Sequence, residues 1–480
     1  MARVLIVVAG IVAAAACAVP TPEERFTTDA ADALGGRGRL LALRTIDMEG
    51  EGRQLNLGQD MTWEAEGQHF TLSPFRRALS LVERRVRTEQ VRTPNFLYFQ
   101  GPQPQRQIVG LDGDVAYTIG PNDTAARASA AAARDRLVDL YHFPAAIVRA
   151  MLDGVAPVAN VRSEGNGRSA DVTLAGATFV LSLDAAGVPE SVSSPGQHAN
   201  LGDVTITTTF GGYTDVDGVR LPARLTTRTD GRVTSEISIR RFAIDGDAGD
   251  LAAPASVAAA PPPAPPAPLV EATELARGVW WLAGQSHHSA LVEFADHTML
   301  IEAPQSEART LAVIAKAREL VPGRPLRRLV MSHHHFDHTA GLRAAIAEGL
   351  GVIAHKSAAA FVEEMATRPH TRQPDALQTS PRPVTVEPVD DALVLKDAAM
   401  TVELYHIAGN PHADTLLMAY LPRERLLIEV DAFSPGGSYH PYAANLLEQI
   451  RARTLRVDRI VPLHGSVVPF AELVKAVETR

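Results

Sequence analysis

The segment from Ala252 to Val270, AAPASVAAAPPPAPPAPLV, constrains this chain more than any other. Proline at that density lacks the backbone N–H that helices and ladders need, and it favours an extended polyproline conformation. One packed core cannot be threaded through such a stretch. Residues 252–270 are therefore expected to be a linker between an N-terminal part, 25–250, and a C-terminal part, 271–480, each of ordinary domain size. The 480 residues are 46% hydrophobic, enough for two cores. The formal charge of -9 lacks the clustered Lys and Arg that phosphate binding requires, so no nucleic-acid partner is expected.

Before the linker the pattern is that of antiparallel strands. Val204, Ile206, Thr208 and Phe210 alternate at period 2, as do Val233, Ser235, Ile237 and Ile239. Turn residues punctuate them at Asp184–Gly187, Asp215–Gly218 and Thr229–Gly231. Between Ala125 and Asp153 the spacing becomes helical, through Leu137, Leu140, Tyr141, Ile147, Val148 and Met151. A long meander with a few helices, and phrases such as Gly218-Val219-Arg220-Leu221-Pro222, resembles the half-barrels of bacterial lipoprotein carriers. The resemblance implies a cradle for an acyl chain or a partner protein; a β-rich scaffold without a ligand is the alternative.

At the start of the chain, Arg3 precedes an apolar run from Val4 to Ala16 that is shorter than the ~20 residues a spanning helix needs. Residues 1–18 match a secretory signal peptide. Ala16-Cys17-Ala18 would release a soluble protein, whereas Ala14-Ala15-Ala16-Cys17 resembles a bacterial lipobox and would leave Cys17 lipidated as a membrane anchor. An exported, periplasmic protein is expected either way. Cys17 is the only cysteine, so no intramolecular disulfide and no thiolate metal ligand is available to the folded parts.

After the linker, strands and helices alternate. Val279–Leu282, Ala290–Phe294, Met299–Ala303 and Arg328–Met331 read as strands, and Glu307–Leu320 as a helix. Of 16 histidines, only His69, His142 and His198 precede the linker, and histidine is the commonest metal ligand. The strand at Arg328–Met331 runs into Ser332-His333-His334-His335-Phe336-Asp337-His338 and then a helix to Glu348. In an extended segment, residues i, i+2 and i+4 point the same way, so His333, His335 and Asp337 can converge while His338 is swung across by the following helix. Burying such a set costs heavily unless a divalent cation relieves it. His334 faces the other way and reads as a supporting residue.

This H-x-H-x-D-H segment resembles the signature of the metallo-β-lactamase-fold superfamily, and the similarity extends over about 271–480. It implies an α+β two-domain chain whose C-terminal half is an αββα sandwich. Downstream, His412 in Ala408-Gly409-Asn410-Pro411-His412, Asp431 after Leu426–Val430, and His464 in Ile460-Val461-Pro462-Leu463-His464 match the family's remaining ligands in order. The implied site has one metal on His333, His335 and His412, a second on Asp337, His338 and His464, and Asp431 bridging. Two Zn2+ suit these donors, and iron or manganese is compatible. Glu302-Ala303-Pro304 stands where the family often has Asp-x-Gly, and Pro411 where Gly is common.

The resemblance implies a small-molecule hydrolase in which hydroxide held by the metals attacks and Asp337, the catalytic residue, orients it. Relatives with Asp at the position of Asp431 act on thioesters, lactones and phosphodiesters, whereas β-lactamases carry Cys or Ser there. Ester, thioester or lactone hydrolysis is therefore expected ahead of β-lactam or phosphodiester hydrolysis. An iron-dependent oxidoreductase on the same fold, or a lipid- or partner-binding protein with an inactive metal domain, are the other classes. His287, His288, Tyr439, His440 and Tyr442 fall on loops expected to rim the pocket.

Overall fold

The computed structural model describes residues 19–478; the expected signal segment 1–18, with Cys17, lies outside them. Among the described residues the strands form three sheets, of 13, seven and six strands.

The 13-stranded sheet is built entirely from residues before 250 and every pairing in it is antiparallel. Its first strand, Thr45–Leu55, pairs with its last, Arg232–Ile244, in the middle of the sheet. The short strand Ala125–Arg127 and the strand Val158–Glu164 lie at its two edges. The chain between those edges forms the helices Ala130–Tyr141 and Pro144–Leu152, the second opened by a proline at its first position. Leu140, Ile147 and Val148 from these helices, and Phe26 and Leu34 from the start of the chain, share one core with Met48, Leu79, Val172 and Leu181 of the strands.

The linker expectation needs correcting at its start. Ala255–Ala259, the proline-free stretch after Pro254, forms a helical turn, and Val257 packs with Tyr117 of the large sheet. On either side of it, at 252–254 and from Ala260 to Val270 where the prolines cluster, the chain runs without regular structure.

The C-terminal part has four layers. The seven-stranded sheet runs in chain order from Glu271–Ala276 to Val386–Val389, and the six-stranded sheet from Ala392–Lys396 to Val468–Pro469. Alternation sorts their side chains between layers. Val292, Met299, Val330 and Ile353 meet Val402, Leu404, Ile428 and Val461 between the sheets. Leu291, Leu300, Leu329 and Val352 face outward onto Val313, Ile314 and Ile346 of the helices Glu307–Leu320 and Leu342–Ala347. Leu427 and Ile460 face Leu446 and Leu473 of the helices Ala443–Ala452 and Phe470–Glu478 on the far side. Leu201 and Val204 of the large sheet join the outer core of the seven-stranded sheet, so the two parts of the chain pack together.

Candidate metal centre

Two parallel strand pairs set the position of the site. Thr298–Ile301 runs parallel to Leu326–Val330 in one sheet, and Leu426–Glu429 parallel to Arg459–Pro462 in the other. Their C-terminal ends deliver Glu302, His333, Asp431 and His464 to the same edge of the sandwich. Glu302 and Asp431 both adopt positive φ, 73° and 60°, a conformation that costs a non-glycine residue on the order of 1–3 kcal/mol and concentrates at functional sites.

All seven residues expected to hold metal converge here. His333, His335, His412 and Asp431 offer donor atoms within 4.8 Å of one another, and so do Asp337, His338 and His464 together with His287. Asp431 lies between the two groups. Its Oδ2 is 3.0 Å from His412 Nε2 and 3.0 Å from His338 Nε2, and its Oδ1 is 3.0 Å from His464 Nε2. His333 Nε2 and His412 Nε2 approach to 3.3 Å, and His338 Nε2 and His464 Nε2 to 3.1 Å. Imidazole lone pairs converging in this way form the kind of donor set that divalent zinc, iron or manganese takes.

The outward ring nitrogens have hydrogen-bond partners of their own, which leaves the inward ones available as donors. Ser332 Oγ is 2.8 Å from His333 Nδ1. His335 Nε2 donates to the carbonyl oxygen of Asp60 at 3.0 Å, leaving its Nδ1 buried with no hydrogen-bond partner. That orphaned atom belongs to a ring whose centroid lies 4.5 Å from those of His333 and His412, and an unpartnered buried imidazole nitrogen fits a metal-donor role. Glu302 Oε2 is 2.8 Å from His338 Nδ1, and Glu302 Oε1 accepts from the Ser332 N–H at 2.7 Å. The longer carboxylate at the position where the family often has Asp therefore does serve the site.

The electrostatics agree. Burial drives the His333 imidazole down to about 3 and His335 well below its ordinary value, so both are neutral and able to donate a lone pair. Burial opposes charge on His338 as well, but Asp431, Asp337 and Glu302 outweigh it and hold this imidazole protonated well above its usual range. Burial would raise Asp431, yet His338, His464 and His412 keep it ionised.

His334 is supporting, as its alternation indicates: Nδ1 meets Thr415 Oγ1 at 2.8 Å and Nε2 donates to Asp60 O at 2.9 Å. His287 moves from the expected rim into the centre, 3.1 Å from Asp337 Oδ2, while His288 is a packing residue against Trp281. Tyr442 packs against His412 with the rings tilted by 59° and their centroids 4.8 Å apart. Gln59 and Asp60, from the N-terminal part, carry no motif and are not foreseeable from the sequence; Gln59 donates to Asp337 Oδ1 at 2.6 Å.

A four-layered α/β sandwich with a histidine and carboxylate cluster at its sheet edge defines a metal-site protein of hydrolase-type fold. Residues 282–465 match the family model described as the metallo-beta-lactamase superfamily, which supports that fold for this C-terminal portion of the chain. Similar solved structures include a metallo-beta-lactamase from Hirschia baltica, at 14% identity and a TM-score of 0.35, covering 44% of this chain and 97% of that one. Another is a metallo-beta-lactamase from Pontibacter korlensis, at 17% identity and a TM-score of 0.34, covering 44% and 97%. No curated protein matches the chain.

Proposed function

We propose that the chain is an exported metal-dependent hydrolase of esters, thioesters or lactones, with one cation on His333, His335 and His412, a second on Asp337, His338 and His464, and Asp431 between them. The observation that carries this reading is the unpartnered, buried Nδ1 of His335, on a ring whose centroid lies 4.5 Å from those of His333 and His412. A pair of divalent cations at such a site activates water at neutral pH and polarises a carbonyl. Asp337, with Oδ1 taken by Gln59, turns Oδ2 toward His287 and His338 and is positioned to orient the attacking water. Zinc is the metal favoured by these donors.

Beside His412 lies the Tyr442 ring, with centroids 4.8 Å apart. The Tyr442 hydroxyl donates to the Leu97 carbonyl, and Leu97 and Phe99 remain 46% and 59% exposed on the same loop. This ledge suits the apolar acyl portion of an uncharged carbonyl substrate. Asp431, in place of the Cys or Ser of the β-lactamases, supports these substrates over β-lactams. Export rests on the apolar run Val4–Ala16; among the described residues no helix is long and apolar enough to cross a membrane. The test is turnover by the full chain on a panel of lactone, thioester, phosphodiester and β-lactam substrates. Selective turnover of the carbonyl esters, lost in Asp337→Ala, supports the proposal; turnover of β-lactams alone refutes it.

A second reading, an acyl ligand in the N-terminal part, is supported by a cavity between the large sheet and its helices, lined by Met48, Leu72, Phe75 and Ile237 with Arg77 and His142. Its volume of about 210 Å³ is below the ~300–1,000 Å³ of ordinary small-molecule sites, which favours the hydrolase reading.

A further inference from the structure

The loop between the strands Thr45–Leu55 and His69–Ser80 of the large sheet is laid along the histidine segment of the other part of the chain. Three of its carbonyls are taken there. Gly58 O accepts from the Phe336 N–H at 3.2 Å, Asp60 O from the His334 and His335 rings, and Met61 O from the Asp414 N–H at 2.9 Å. Gly58 is at φ 73°, and a Cβ there would stand 2.2 Å from the Phe336 ring, so only glycine permits this approach. The loop is held from behind. Asp60 Oδ1 accepts from the Gly67 and Gln68 N–H groups, and Arg232 donates to Trp63 O. From the same sheet, Asn200 donates to Phe336 O and Thr339 Oγ1.

Gln59 sits at the centre of this embrace. Its amide donates to Oδ1 of Asp337 at 2.6 Å, a charge-assisted bond that holds one carboxylate oxygen outward. The other oxygen, Oδ2, then points at His287 Nε2, 3.1 Å away, and at His338 Nε2, 3.6 Å away. A free carboxylate would rotate and exchange its two oxygens; the bond to Gln59 removes that freedom.

We propose that the N-terminal part of the chain is a structural component of the metal centre: Gln59 is the positioning residue for Asp337, and the Asp60 carbonyl selects the ring tautomer in which His335 presents Nδ1. This rests on the metal-site reading given above and extends it to residues 278 and 275 positions away in sequence. Outer partners of metal ligands typically contribute 10–100-fold to metal affinity. The effect of Gln59 should fall on the cation held by Asp337 and spare the one held by His333, His335 and His412.

The test is titration of the metal-free full-length protein with cobalt(II), followed by its visible absorption, for the wild type, Gln59→Met and Gln59→Glu. Methionine removes the donor while keeping the length of the side chain. Glutamate keeps the shape but turns an acceptor toward Asp337. Two cobalt equivalents in the wild type, with one weakened about 10–100-fold and the other unchanged in both variants, is the expected result. If Gln59→Glu behaves as wild type, shape rather than the hydrogen bond matters and the proposal fails. Equal weakening of both equivalents, or a variant of unchanged affinity, overturns it too. A wild type that takes up no cobalt defeats the metal-site reading itself, whatever the variants do. The melting temperature of each metal-free variant identifies any that is merely unfolded.

Discussion

Oε2 of Glu302 lies 2.8 Å from Nδ1 of His338, at a position where neither residue is reached by solvent. The carboxylate fixes the ring so that Nε2 faces Asp431 and His464. Glu302→Gln is expected to keep an acceptor for the Ser332 N–H while losing the charge behind His338. Affinity for one of two cations should fall about 10–100-fold, measured by competition with a chelator.

Asp337→Ala is expected to abolish turnover and to deplete bound metal, because it removes both a ligand and the oxygen that orients water. His335→Ala should do the same through the other group. Metal content by atomic emission, alongside turnover, checks both; full activity in either variant would remove these residues from the site.

Phe99→Ser tests the aromatic ledge. Phe99 is 59% exposed and packs edge-on to Tyr98, so stability should change by no more than about 0.5 kcal/mol. KM for substrates with an apolar acyl group should rise with kcat little altered, the pattern of lost uniform binding. An unchanged KM would take Phe99 out of the substrate's path.

His142, away from the metal centre, should make the N-terminal part acid-sensitive. It is buried between Thr208 Oγ1 and Ser194 Oγ, and burial pushes its imidazole down to about 4. Its folded value is below the unfolded 6.5, so between those pH values the unfolded chain binds more protons. The stability it contributes is complete above pH 6.5 and is lost as pH falls toward 4, by about 3 kcal/mol. The urea midpoint should drop over this window in the wild type and drop less in His142→Gln.

Much of the site was legible because its chemistry is local. Four ligand-type residues between His333 and His338, at the end of a buried strand, could be read as converging before any fold was known. The helix Glu307–Leu320 was found with its expected bounds, opened by the Ser306 side chain accepting from the Arg309 N–H. His412, Asp431 and His464 were found by order and strand-end placement. Gln59 and Asp60 were not, because they act through one amide and one backbone carbonyl in a loop with no period or motif. His287 was placed on the rim because its approach to Asp337 depends on two loops meeting in space. The helical turn Ala255–Ala259 was hidden by the prolines on either side of it.

A buried ion pair gives an independent check on the fold. Arg343 pairs with Asp375 through two nitrogens and donates to the carbonyls of Met365, Ala366 and Arg368 at 2.8, 3.0 and 3.1 Å. Arg343→Ala would strand a carboxylate and three acceptors, and should cost about 3–5 kcal/mol by chemical denaturation.

The quantity that bears most directly on the centre is the metal content of the purified full-length protein after equilibration with zinc, iron or manganese. Two equivalents of divalent metal per chain, reduced in Asp431→Ala, is the expected result. A wild-type protein that retains no metal from any of the three, or an Asp431→Ala variant that binds as much as the wild type, would contradict it.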